Sequence, residues 1–221
     1  MMRKTTSLAT VALCSGVSFG VMPAEQLDIH ISALMDPPSC SVSLSVATIE
    51  LGTIVASRLD QNAPTRLGDQ LIQVVITCPE SAGPGIIVRD LSAGTAMSIA
   101  GNPGLSWSQQ DLMGLGTYNG TAIGAWAISI DSANVLADGK SVPVLVAENS
   151  DTPVWQPAKS NWQVMTPNNS TVYAFGHNLP ETITQLTVPL KVSVALNAMS
   201  ELNVTSRLSF SGTAELTLKY Y

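Results

Sequence analysis

The sequence predicts an all-β protein, a sandwich or barrel of short strands. Three observations predict it: apolar and polar residues alternate at period two in run after run, clusters of Pro, Gly, Asn and Asp separate the runs, and no stretch has the periodicity of an amphipathic helix of ordinary length. Of 221 residues, 45% are hydrophobic and 12% charged. The charged share is about half the usual ~25%, and the apolar residues are spread along the chain, which excludes a disordered polymer.

The runs follow in order. Residues 27–31 (LDIHI) place Leu27, Ile29 and Ile31 on one face and His30 on the other. Residues 41–45 (SVSLS) and 48–54 (TIELGTI) alternate next. Residues 70–78 (QLIQVVITC) are apolar nearly throughout and read as a strand buried on both faces. Residues 85–88, 125–130, 142–146, 172–175, 182–196 and 202–220 complete the set. Turns are expected at 37–38 (PP), 84–85 (PG), 102–104 (NPG), 138–139 (DG) and 167–169 (PNN). Residues 197–202 form one helical turn or a loop. Residues 147–161 read as a long surface loop within one domain, with no linker and no internal repeat.

The first residues read as a secretory signal peptide. Arg3 and Lys4 precede an uncharged stretch from Leu8 to Val21, too short for a span of about 20 residues. Cleavage fits after Gly20 or after Ala24, and Ala24 gives the more natural start, leaving 25–221 as a single domain after a 1–24 leader. Losing Arg3 and Lys4 takes the net charge from −6 to −8. An acidic chain without a Lys/Arg cluster is a poor partner for nucleic acid or anionic membrane. Cys14 leaves with the leader, so Cys40 and Cys78 remain as a pair in an oxidising compartment, bridged or as two buried thiols.

Motifs for chemistry are missing. His30 and His177 stand alone, without metal-ligand spacing, and no G-x-S-x-G, H-E-x-x-H, Walker or dinucleotide pattern occurs. No cofactor, metal or catalytic set is expected. A secreted β-sandwich hydrolase would need a polar cluster around His177 or His30. Trp126 falls in a strand. Trp155 and Trp162 flank Pro157 in the long loop, where they pin that loop to the body or form a platform for a glycan.

The order of these features resembles the subunits of chaperone–usher fimbriae (pili) of Gram-negative bacteria. The sequence has a leader, a short alternating arm, Cys40, a second cysteine ending a strong strand (ITC, 76–78), and a last alternating strand, SGTAELTLKYY (211–221), with Tyr220 next to last. The stretch MGLGTYNGTAIG (113–124), with LGTI (51–54), resembles a subgroup of fimbrial-like proteins of uncertain role. The resemblance implies an incomplete immunoglobulin-like sandwich, exported through the periplasm to a surface fimbria that supports adhesion. A periplasmic chaperone would lend the missing strand, and an outer-membrane usher would exchange it for the arm of another subunit. Carried over, Phe210, Ala214, Leu216, Leu218 and Tyr220 line the groove, and Tyr221 offers its carboxylate to the chaperone. Leu27, Ile29 and Ile31 are the donor arm or the first body strand; the 15 residues from Glu25 to Ser39 hold one strand, not two. Where many pilins carry a glycine upstream of the last strand, this chain has Leu208, with Gly212 closer in. A tip-like adhesin holding a host glycan at Trp155 and Trp162 is the alternative within the same architecture.

Overall fold

Alternation becomes a strand wherever one face can cover a core and the backbone finds a partner. The computed structural model describes residues 39–99 and 107–221, within the unit Pro37–Tyr221. The leader and the 27–31 arm, with His30 and the 102–104 turn, lie outside the described residues. In chain order the strands are β1 (Ser41–Leu44), β2 (Thr65–Ala82), β3 (Pro84–Asp90), β4 (Met113–Gly114), β5 (Thr117–Tyr118), β6 (Thr121–Ala122) and β7 (Gly124–Asp131). They continue with β8 (Leu136–Ala137), β9 (Lys140–Ser141), β10 (Val144–Ala147), β11 (Gln156–Pro157), β12 (Trp162–Val164), β13 (Asn168–Phe175), β14 (Ile183–Leu196) and β15 (Ala214–Tyr220). A single helical turn, α1 (Met199–Leu202), precedes β15.

Two antiparallel sheets make an all-β sandwich with one disulfide. The first runs β1-β2-β14-β7-β12, with β4 on β7 and the β8–β9 hairpin on β14; the second runs β11-β10-β13-β3-β15. Val74, Ile76, Ile128, Ile130, Val188 and Leu190 of the first sheet meet Ile86, Val88, Tyr173 and Phe175 of the second in one buried core. Cys40 and Cys78 are joined, stapling the start of β1 to β2.

The outer face of the first sheet has a second, smaller core. Ala125, Ala127 and Ala195 are small enough for Met97 and Leu112 to settle on them. This makes β7, not β2, the strand covered on both faces. Residues 70–78 do not meet the expectation, because nothing among the described residues covers β2 on that side: Leu71 is 72% exposed. Three further expectations are corrected. The crossing between sheets is at Gly83, and Pro84–Gly85 already belong to β3. Residues 48–54 form no strand, although Ile49, Leu51 and Ile54 pack on the core. The last strand covers Ala214–Tyr220 only, so Phe210 lies before it, half-buried.

The turn at 138–139 is as expected, and the structure adds a second two-residue turn at 119–120. Asp138 (φ 47°) and Gly139 (φ 77°) close β8–β9, and Asn119 (φ 50°) and Gly120 (φ 82°) close β5–β6; both pairs have the positive φ that this hairpin turn demands. Other glycines in 113–124 permit close approach: a Cβ on Gly124 would stand 2.3 Å from the Ala195 carbonyl oxygen.

Gly124→Ala is therefore expected to cost about 1–3 kcal/mol, read from the urea midpoint; an unchanged midpoint would contradict the packing. Cys40→Ser opens a loop of 38 residues and is expected to cost about 4 kcal/mol. Equal midpoints for the oxidised chain and the variant would contradict the staple.

Candidate functional site

The distinctive feature is a side of the sandwich where both sheets end. β2 passes into β3 at Gly83, and each is the next-to-last strand of its sheet. Their outer neighbours, β1 and β15, are thereby edge strands on the same side. Among the described residues nothing pairs with the outer edge of either.

Both edges carry apolar side chains toward the core without burying them. Val42 and Leu44 stand opposite Ile76 and Val74, and directly opposite residues share a face. Ile76 and Val74 are at most 1% exposed, whereas Val42 and Leu44 are 48% and 37% exposed. On β15, Leu216 and Leu218 stand opposite Val88 and Ile86, which are buried, yet both leucines remain half-buried, as do Ala214 and Tyr220. Beyond β1, residues 46–54 make no backbone hydrogen bond to another described residue. The result is a seam of half-covered core with β15 as one wall and β1 with 46–54 as the other.

The other two sheet edges are blunt. β11 has two residues, one of them Pro157, and β12 has three. Short strands and proline deny a template to a foreign strand. β15 offers seven residues without proline.

The outer face of β15 is anchored. The Tyr221 hydroxyl donates to the Ser150 carbonyl at 2.9 Å, and its ring meets Trp155 edge-on at 5.0 Å. Lys219 pairs with Asp151, and Tyr221 N–H continues the ladder to Gly83 O at 3.0 Å. Gly85 lacks the Cβ that would stand 3.0 Å from the Tyr221 ring. Burial first, and the Asp151 carboxylate second, push the Tyr221 phenol above its ordinary value. At the seam, the Cys40 amide donates to the Tyr220 hydroxyl at 3.0 Å.

The residues named from sequence thus fall into two groups. Ala214, Leu216, Leu218 and Tyr220 share the seam wall, and Phe210 packs on the same core from outside the strand. Trp155 and Trp162 do not form one platform. Trp155 packs on Ile87, Ala147 and Val172 of the second sheet, pinning the loop, while Trp162 belongs to the first sheet and lies under the Lys191 ammonium at 4.1 Å. Val42 and Leu44 were missed as the opposite wall; their alternation in SVSL was the available signal.

Polar clusters elsewhere serve the fold. Asp138 accepts from the Thr184 hydroxyl at 2.7 Å and the Gln185 amide at 2.8 Å; Thr184 first, then Gln185, hold its carboxyl below the ordinary value, tying the β8–β9 hairpin to β14. Asp69 accepts from Ser193 and Arg66. His177 pairs with Glu181 at 2.6 Å in an exposed turn. A shallow cleft of about 250 Å³ near Ser132, Pro143 and Lys159 sits away from the seam and gathers no titratable cluster. No group of metal-ligating side chains occurs among the described residues.

No family model matches the chain. It is similar to "Uncharacterized protein YhcF" of Escherichia coli (strain K12), with 26% identical residues across 94% of this chain and 97% of that protein. The likeness runs nearly end to end in both chains, and that protein's name states no activity.

The raised Tyr221 phenol sets an alkaline limit. Above the ordinary tyrosine value of about 10, the unfolded chain loses its proton first. Stability present below that pH is then lost as pH rises through the folded value. Tyr221→Phe is expected to flatten this part of the urea-midpoint profile; the raised phenol of buried Tyr173 contributes in the same sense and remains. An unaltered alkaline slope would contradict the Tyr221 contact.

Proposed function

We propose that this chain is a non-enzymatic structural subunit of a surface fimbria, assembled by accepting a strand from another polypeptide. The single observation that carries the reading is the seam. A seven-residue edge with half-buried Leu216 and Leu218 faces a second apolar wall, with no strand between them among the described residues. An extended segment laid there would pair its backbone with β15 and drop alternate side chains onto the core, the physics of strand addition. Left uncovered, such an edge favours aggregation, which accounts for a chaperone that occupies it before assembly.

In this reading a periplasmic chaperone covers the seam first, and an usher in the outer membrane hands the subunit to its neighbours. The Cys40–Cys78 bridge suits an oxidising route through the periplasm. Leu27, Ile29 and Ile31 form the arm offered to another subunit. The subunit works without cofactor or metal. The separation of Trp155 from Trp162 removes the observation that favoured a shared glycan platform.

Co-expression with the periplasmic chaperone tests the reading. Leu218→Glu puts an unpaired charge into the seam and is expected to lower co-purification by roughly tenfold or more, the equivalent of about 1.4 kcal/mol. Thr217→Glu, on the opposite face of the same strand, leaves it unchanged. Undiminished capture of Leu218→Glu, or equal loss from both variants, would overturn the proposal.

A further inference from the structure

The seam is closed at one end. Among the described residues, the hydrogen bond from the Cys40 amide to the Tyr220 hydroxyl, 3.0 Å long, is the one that joins the β1 side to β15. It lies where the two sheets are otherwise tied. Tyr220 is opposite Pro84, one residue past the Gly83 crossing, and Cys40 is fixed by its bridge to Cys78. At the other end Ala214 is opposite Asp90 and Leu44 opposite Val74, and no hydrogen bond between described residues spans the gap. Tyr220 also differs from Leu216 and Leu218 in kind: its ring packs on the core, but its hydroxyl reaches the far wall.

We propose that the Tyr220–Cys40 hydrogen bond is a bolt across the seam, so that an incoming strand enters from the Ala214 end and is stopped at Tyr220. The inference rests on the strand-accepting reading and adds a length limit and a register to it. The occupant is one extended segment of another polypeptide, apolar at alternate positions. β15 has seven residues, so the segment that fits is about seven residues long, or roughly 23 Å at ~3.3 Å per residue. A longer strand must break the bolt, leaving the Cys40 amide without its acceptor, an expense that buried or half-buried donors resist. The disulfide holds the Cys40 side of the bolt in place, and a phenylalanine at position 220 would keep the packing but not the bond.

Tyr220→Phe separates these roles. The probes are two synthetic peptides, one with the sequence of residues 26–32 (QLDIHIS) and one with that of residues 22–36, titrated against the oxidised full chain and the variant. The native chain is expected to bind the two peptides within a factor of about two, while Tyr220→Phe binds the longer one roughly tenfold more tightly than the shorter. The same length dependence in both proteins would overturn the bolt while leaving strand acceptance intact; no binding of either peptide by either protein would overturn both. Amide exchange gives an independent reading: the Cys40 N–H is expected to exchange slowly in the native chain and at least several-fold faster in Tyr220→Phe. Equal rates would also overturn the bolt.

Discussion

The open side of the sandwich follows from how the chain passes between sheets at Gly83. A side chain there would collide with the Tyr221 carbonyl oxygen, 2.7 Å from the Cβ position. The crossing therefore needs glycine, and it makes β2 and β3 two parts of one nearly continuous strand. Whatever pairs outside β2 and outside β3 must then lie on the same flank. The sequence supplies β1 for one and β15 for the other, each with core-facing apolar residues, and the seam between them is the geometric consequence.

Backbone polarity gives the seam its meaning. A sheet edge presents unpaired N–H and C=O groups, and this protein blunts two of its edges by brevity and proline. At β15 it does neither. Charge on that strand is confined to its outward positions, Glu215 and Lys219, where Glu215 approaches Arg89 and Lys219 meets Asp151. Exposed ion pairs of this type contribute little stability, about 0–1 kcal/mol. Their value is placement: they leave the inward row uncharged. The Tyr221–Trp155–Ser150 contacts act on the outer face and hold β15 in register with β3 while its inner row remains half-covered.

Much of the fold was legible because period-two alternation is a direct image of a two-faced strand. β1, β7 and β14 lie where their patterns put them, as do the Asp138–Gly139 turn and the Cys40–Cys78 pair, whereas β13 starts at Asn168, inside the expected 167–169 turn, and β15 starts only at Ala214. What was not legible depended on partners far along the chain. Residues 48–54 alternate like a strand, but a strand also needs a neighbour's backbone, and none among the described residues supplies it. Residues 70–78 look doubly buried, yet the cover over the first sheet rests on the alanines of β7 and β14, a matter of tertiary placement. For the seam, the inward row of β15 was readable from SGTAELTLKYY. The opposite wall was not, because Val42 and Leu44 look like any half-buried row until their register against Ile76 and Val74 is known. Trp155 and Trp162 are close in sequence and on different sheets in space, since the loop between them carries the chain from one sheet to the other.

The central claim is that the outer edge of β15 and the 46–54 segment, which have no backbone partner among the described residues, are paired by a strand from another polypeptide. Residue-resolved amide exchange of the oxidised chain, alone and bound to a strand-donating chaperone, measures this directly. Fast exchange at the outward-directed amides of β15 and across 46–54 in the lone chain, with strong protection of both in the complex, is the predicted result. Full protection of both in the lone monomer would contradict it.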